Sequence, residues 1–99
     1  MAQLTQIQTM VLELISAQVI GDLNADGIPP DMINRQLVAT FLPQKIDEQI
    51  ANHTAVLNEA RAMLAKAITQ EMKDALQSYI IPSRQKRIAD LQVIKANLP

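Results

Sequence analysis

Apolar residues recur in this chain every three or four positions, which is the spacing of one face of an α-helix. Leu4, Ile7 and Val11 begin such a series, and polar residues fill the positions between them. Gly21 is a helix stop signal. The spacing therefore predicts a first helix over about residues 4–20.

Residues 21–31 contain the pairs Asp-Gly and Pro-Pro, which are typical of turns and loops. Pro30 or Asp31 is suited to the first turn of a helix, because proline is tolerated there and an acid favours the helix dipole. We predict a second helix over about residues 31–41, which Pro43 ends.

The longest uninterrupted pattern runs over residues 44–81, which contain neither glycine nor proline. As a single helix these residues would measure about 57 Å, whereas a compact chain of this length is roughly 33 Å across. Either the helix breaks at its weakest stretch, residues 52–54, or partner chains cover the overhang. We predict that its interface combines an apolar stripe with a line of alanines: Ile50, Leu57, Leu64, Ile68, Met72, Ala51, Ala55 and Ala62.

A last helix is predicted over about residues 84–97, after Pro82, with Ser83 as its N-cap. Cations in its first turn would oppose the helix dipole, so either acidic groups compensate them or the helix continues, kinked, through Pro82. The pattern predicts one all-α domain over residues 1–99, a bundle of about four helices completed by self-association.

The composition excludes several classes of protein. The 99 residues include no cysteine, two glycines and one histidine, His53. Disulfide frameworks, thiolate metal sites and glycine-rich phosphate loops are therefore ruled out. No apolar run is long enough for a membrane span. No catalytic motif is present, so we expect no enzyme activity. His53 is interpreted as a partly buried histidine with a hydrogen-bonding partner or as a helix–helix interface residue, and the alternatives are a pH switch or a metal ligand.

Charge is distributed unevenly, although the net charge is only −1. Residues 1–34 carry four acids and no base, whereas residues 82–99 carry four bases and one acid. The basic residues are candidates for contact with nucleic acid or with an acidic partner. The alternative interpretations are a solvated face or pairing with the acidic residues of the same chain. These candidates are Arg84, Lys86, Arg87 and Lys95.

Residues 22–27, Asp-Leu-Asn-Ala-Asp-Gly, fit the opening of a calcium-binding loop. With Gly21 in front, residues 21–27 resemble the start of the calcium-binding repeat of dockerin domains. The resemblance implies calcium held by Asp22, Asn24 and Asp26. The twelfth loop position, a carboxylate in that pattern, is Ile33, and the chain has no second copy. The alternative is a polar turn in which the two aspartates bind backbone donors.

These observations favour a non-enzymatic helical interaction protein that self-associates, acting as an assembly subunit, adaptor or small regulator or inhibitor. The alternatives are a nucleic-acid-binding regulator that uses the basic C-terminal segment and an interaction module stabilised by calcium. Apart from calcium, no cofactor is expected. We expect a protein partner and a place in the cytoplasm or in a larger intracellular or virion assembly.

Overall fold

The computed structural model describes residues 3–98, and it is all-α in that range. Helix α1 spans Gln6–Ala25, and α2 spans Arg35–Lys66. Helix α3 runs over residues 70–96 and consists of Gln70–Ala75, a π-helical turn at Leu76–Ile80, and Ile81–Ala96. A short 3₁₀ turn, Pro30–Met32, lies between α1 and α2. None of the helices within residues 3–98 combines the length and apolar character needed to cross a membrane.

Helix α1 begins and ends with hydrogen-bonded caps. The Thr5 hydroxyl accepts from the backbone N–H of Gln8, and the Gln8 side chain accepts from the backbone N–H of Thr5. At the other end, the N–H of Ile28 bonds to the carbonyl of Leu23 while Gly27 adopts a positive φ of 84°. This is a Schellman cap, for which glycine is favoured.

The predicted stop at Gly21 was therefore wrong, because the stop signal that the structure uses is Gly27. The helix runs through Gly21 and four residues beyond it, to Ala25. Gly21 is exposed, and the space beside its Cα is empty. Mid-helix glycine costs only about 0.5–1 kcal/mol, so packing and the later cap outweigh it.

Helix α2 differs from the prediction at both ends. The predicted break at Pro43 is absent, and residues 35–66 form one helix. Proline removes the donor for the carbonyl of Ala39, but both residues are exposed, so water can bond that carbonyl. The helix also passes through residues 52–54 without a break.

Instead, the long helix predicted over residues 44–81 ends at Lys66. Ala67 is extended, with φ −66° and ψ 129°, and Thr69 caps the next helix by accepting from the N–H of Met72. No glycine or proline lies at this turn. The turn lets α3 fold back along α2 and bury Leu57 and Leu76, which a straight helix would leave exposed.

Pro82 lies inside α3, so residues 3–98 form three long helical segments rather than four. Ser83 is not a cap. The π-helical turn directly before Pro82 bonds the N–H of Ile81 to the carbonyl of Leu76. Such a turn accommodates the missing donor and the bulk of a proline ring. The predicted alternative, a helix that continues through Pro82, is the one observed.

The three helices meet around one apolar cluster, which joins the middle of α1 to residues of α2 and to the end of α3. We call this part, residues 3–53 and 84–98, the three-helix region. It is sealed further by a buried hydrogen bond of 3.1 Å, in which the Gln8 side chain donates to the Asp90 carboxylate. The cluster consists of Val11, Ile15, Ile46, Leu91 and Ile94.

Beyond the three-helix region, residues 54–83 form a two-helix arm. Helix α1 has 20 residues, about 30 Å, whereas α2 has 32 residues, about 48 Å. Since α1 is too short to cover the whole of α2, the arm is held together only by α2 against α3. It buries Leu57, Ala60 and Leu76.

The molecule is consequently long and flat, with extents of 54 × 34 × 17 Å. Its radius of gyration is 16.7 Å, compared with about 13 Å for a compact chain of this length. The accessible surface is 6983 Å², whereas a typical folded monomer of this mass exposes about 5,600 Å². The difference of about 1,400 Å² is surface that a rounder fold would bury.

Candidate functional site

A cleft of about 290 Å³ lies between the end of α1 and the first half of α2. We call it the acid-rimmed cleft. Its apolar side is formed by Val19, Leu23, Ile28 and Phe41. The Schellman cap shapes this side, because it folds Ile28 back against Leu23.

Three carboxylates surround the cleft: those of Asp22, Asp26 and Glu48. Lys45 lies among them, with its Nζ 2.8 Å from Asp22 and 3.6 Å from Glu48. The hydrogen bond to Asp22 raises the pKa of Lys45 above its ordinary value of 10.5. Within residues 3–98, Asp26 forms no ion pair. The formal charge of the cleft is therefore −2.

Two of the three calcium candidates, Asp22 and Asp26, lie at this cleft, but not in a loop. Asp22 and Asn24 belong to α1, and Asp26 is its C-cap. At 100° per residue, Asn24 projects about 160° away from the direction of either aspartate. Helical geometry thus separates Asn24 from the two aspartates, and Asp22 is bonded to Lys45. Calcium binding remains a prediction.

The basic residues of α3 are largely held by other groups of the chain. Lys95 is 2.6 Å from Asp47, and Lys86 is 3.6 Å from the buried Asp90. None of these cations is ion-paired to the acidic residues at the end of α1. Two of the four candidates, Lys95 and Lys86, are therefore paired with acids of the same chain, and contact with nucleic acid remains a prediction.

Arg84 bonds to His53, where the three-helix region meets the arm. Its Nη1 is 2.7 Å from Nδ1 of the half-buried His53. Because arginine has no acceptor, Nδ1 accepts and the histidine is neutral there. Burial, and then the charges of Arg84 and Arg87, lower the pKa of His53 below its usual 6.5. The predicted hydrogen-bonding partner of His53 is thus Arg84.

The predicted interface residues, which lie in the arm and in the turn of α2 just before it, differ in exposure. Leu57 is buried in the chain's own hairpin, and Ile50 and Leu64 are half-buried. Leu57 is therefore unavailable to a partner. Ile68 is 89% exposed and Met72 is 42% exposed. The alanines of the predicted line, Ala51, Ala55 and Ala62, are all exposed on α2.

Several site residues were not found from the sequence. Phe41 and Glu48 join the acidic residues of α1 only through the packing of α2, so no local pattern reveals them. Tyr79 was not among the predicted interface residues, and its 73% exposure is a result of the arm. The Thr5–Gln8 cap did have a signal, the spacing Thr-x-x-Gln before an apolar run.

Comparison with known proteins identifies no relative: the chain matches no family model, no curated protein and no solved structure.

Proposed function

We propose that this chain is a non-enzymatic helical interaction protein that self-associates through its arm. The observation that supports the proposal is the exposure of large apolar side chains over the arm, where no third helix covers them. Ile68 and Tyr79 are the most exposed, at 89% and 73%. The others are Met63, Met72 and Ile80.

The proposed assembly joins two arms. Two hairpins that pack together form a four-helix bundle, which buries the faces that each hairpin leaves open. A stable interface requires about 800 Å² from each partner. The surplus surface of about 1,400 Å² exceeds that requirement. An assembly subunit, adaptor or small regulator would then display the three-helix region at each end of the dimer.

A mass measurement by light scattering tests this proposal. We expect a dimer or larger species at about 50 μM, and we expect the double variant Ile68→Glu, Tyr79→Glu to have the monomer mass. Ile7→Glu, in an exposed side chain of α1, is the control that should retain the wild-type mass. A wild-type monomer at this concentration would contradict self-association, and dissociation by Ile7→Glu alone would place the interface elsewhere.

A further inference from the structure

We propose that the acid-rimmed cleft binds a basic amphipathic segment of another protein. An apolar side chain of that segment packs against Phe41, while its cationic side chains bond to Asp26 and Glu48. This surface is at the opposite end of the molecule from the arm and does not depend on self-association.

The apolar side of the cleft supplies the first half of the argument. Phe41 is 39% exposed and faces the opening beside the half-buried Ile28. Behind them Val19 and Leu23 are buried, so the floor is preformed rather than created by the ligand. A volume of about 290 Å³ is near the lower limit of ligand pockets and suits a few side chains of a peptide. An aromatic face also attracts lysine and arginine.

The negative charge around the cleft supplies the second half of the argument. Helix α1 has no basic residue in its last turn and carries Asp22 and Asp26 at its C-terminal end. The dipole makes that end negative already, so an acid there is unfavourable unless a cation compensates it. Lys45 offsets one charge, through its contact with Asp22. The remaining charges on Asp26 and Glu48 face solvent and complement a cationic ligand.

The basic residues of α3 do not fill this role. Lys95 bonds to Asp47, Lys86 is near Asp90, and Arg84 bonds to His53. Their helix is packed through Leu91 and Ile94 into the apolar cluster. Lys45 is the basic residue that lines the cleft, and it offsets one of the three acidic charges. An amphipathic basic segment of another protein combines the apolar contact and the positive charge that complement the rest.

Fluorescence anisotropy of a labelled peptide tests the proposal on the full chain. The probe is a twelve-residue peptide of repeated Arg-Leu-Leu-Arg, and a peptide with Glu in place of every Arg is its counterpart. The cleft variant is Asp26→Asn with Glu48→Gln, which leaves the Asp22–Lys45 pair in place. The matched control is Glu13→Gln with Glu59→Gln, which removes the same charge from exposed positions elsewhere.

We expect saturable binding of the basic peptide to the wild type and to the control, and none of the acidic peptide. The cleft variant should bind about tenfold more weakly, since it loses two charge-assisted contacts. Phe41→Ala should weaken binding as well, with an unchanged helical circular dichroism spectrum.

Three results would overturn the proposal. The first is no saturation by the basic peptide at about 100 μM. The second is equal affinity for the cleft variant and the control, which would indicate diffuse attraction. The third is a rise in melting temperature with millimolar calcium, lost in Asp26→Asn, without peptide binding; that would make the cleft a cation site.

Discussion

The three-helix region and the arm are built from the same kinds of residues, but they bury them to different degrees. In the three-helix region Ile46 and Ile94 are fully buried and Leu91 is 1% exposed. In the arm the best-buried leucine, Leu76, retains 4%, and Ile68 is 89% exposed. The difference follows from coverage, because α1 packs on α2 near Lys45 and Gln49, and within residues 3–98 no third helix covers the arm. Along α2 and α3, an aliphatic stripe is therefore core or surface according to whether a third helix reaches it.

The largest expected effect is a difference between two leucine-to-alanine changes. Leu91→Ala should lower the free energy of unfolding by about 3–5 kcal/mol, because the cavity is surrounded on three sides by helices. Leu57→Ala, in the arm, should lower it by only about 2 kcal/mol, because neighbours and water can fill the space. Urea denaturation at one protein concentration measures both. Equal losses would show that the arm is packed as well as the three-helix region.

The second prediction concerns the buried hydrogen bond between Gln8 and Asp90, which joins α1 to α3 in the three-helix region. Gln8→Ala should lower the free energy of unfolding by about 1–3 kcal/mol, because the buried Asp90 carboxylate loses a donor and the backbone N–H of Thr5 loses its acceptor. Gln18→Ala, which removes the exposed hydrogen bond to Gln49, is the control and should change stability by less than about 0.5 kcal/mol. Similar losses of stability in both variants would show that the buried hydrogen bond contributes no more than the exposed one.

The two glycines of α1 should respond with opposite signs. Gly27→Ala should destabilise the protein by about 1–2 kcal/mol, because alanine is strained at a φ of 84°. Gly21→Ala should stabilise it by about 0.5–1 kcal/mol, because the site is helical and open. Thermal denaturation measures both. A loss of stability in Gly21→Ala would mean that α1 does not continue to Ala25.

The smallest effect concerns His53, where the three-helix region meets the arm. Its pKa is lowered on folding, so between pH 7.5 and 5.5 the unfolded chain takes up a proton before the folded chain does. Stability should therefore be greatest above pH 6.5 and fall as the pH is lowered. In His53→Gln, where the amide oxygen can accept from Arg84, the melting temperature should depend less on pH over this range. An unchanged slope would assign the dependence to other groups.

The sequence predicted the helical class and much of the helical content because helical spacing is a local property. The predicted helix boundaries were less accurate, because packing in the folded chain decides which of several local stop signals is used. Gly21 and Gly27 are both plausible stops, and the choice depends on whether Ile28 can fold back onto Leu23. The break at Ala67–Thr69 had one signal, Thr69 followed by an acid two residues later, but no glycine or proline.

The candidate site was less predictable than the fold. Asp22 and Asp26 were identified from spacing, but the same spacing was interpreted as a calcium loop because the extent of α1 was not known. The contribution of Phe41 and Glu48 depends on how α2 packs against α1, which no local pattern encodes. For the same reason, the sequence left Lys95 open as a contact for partners, as part of a solvated face or as a partner of acids in the same chain, and only tertiary packing pairs it with Asp47.

The hydrogen bond between Gln8 and Asp90 spans 82 residues of sequence, whereas the arm packs α2 against the Leu76–Ile80 turn that follows it closely in the chain. Contacts between nearby residues require less loop closure and form faster. During synthesis the arm can close as soon as the first half of α3 emerges, whereas α1 can bond to α3 only after Asp90 has emerged. The part of the molecule with the smaller core is thus expected to form before α1 and α3 are joined.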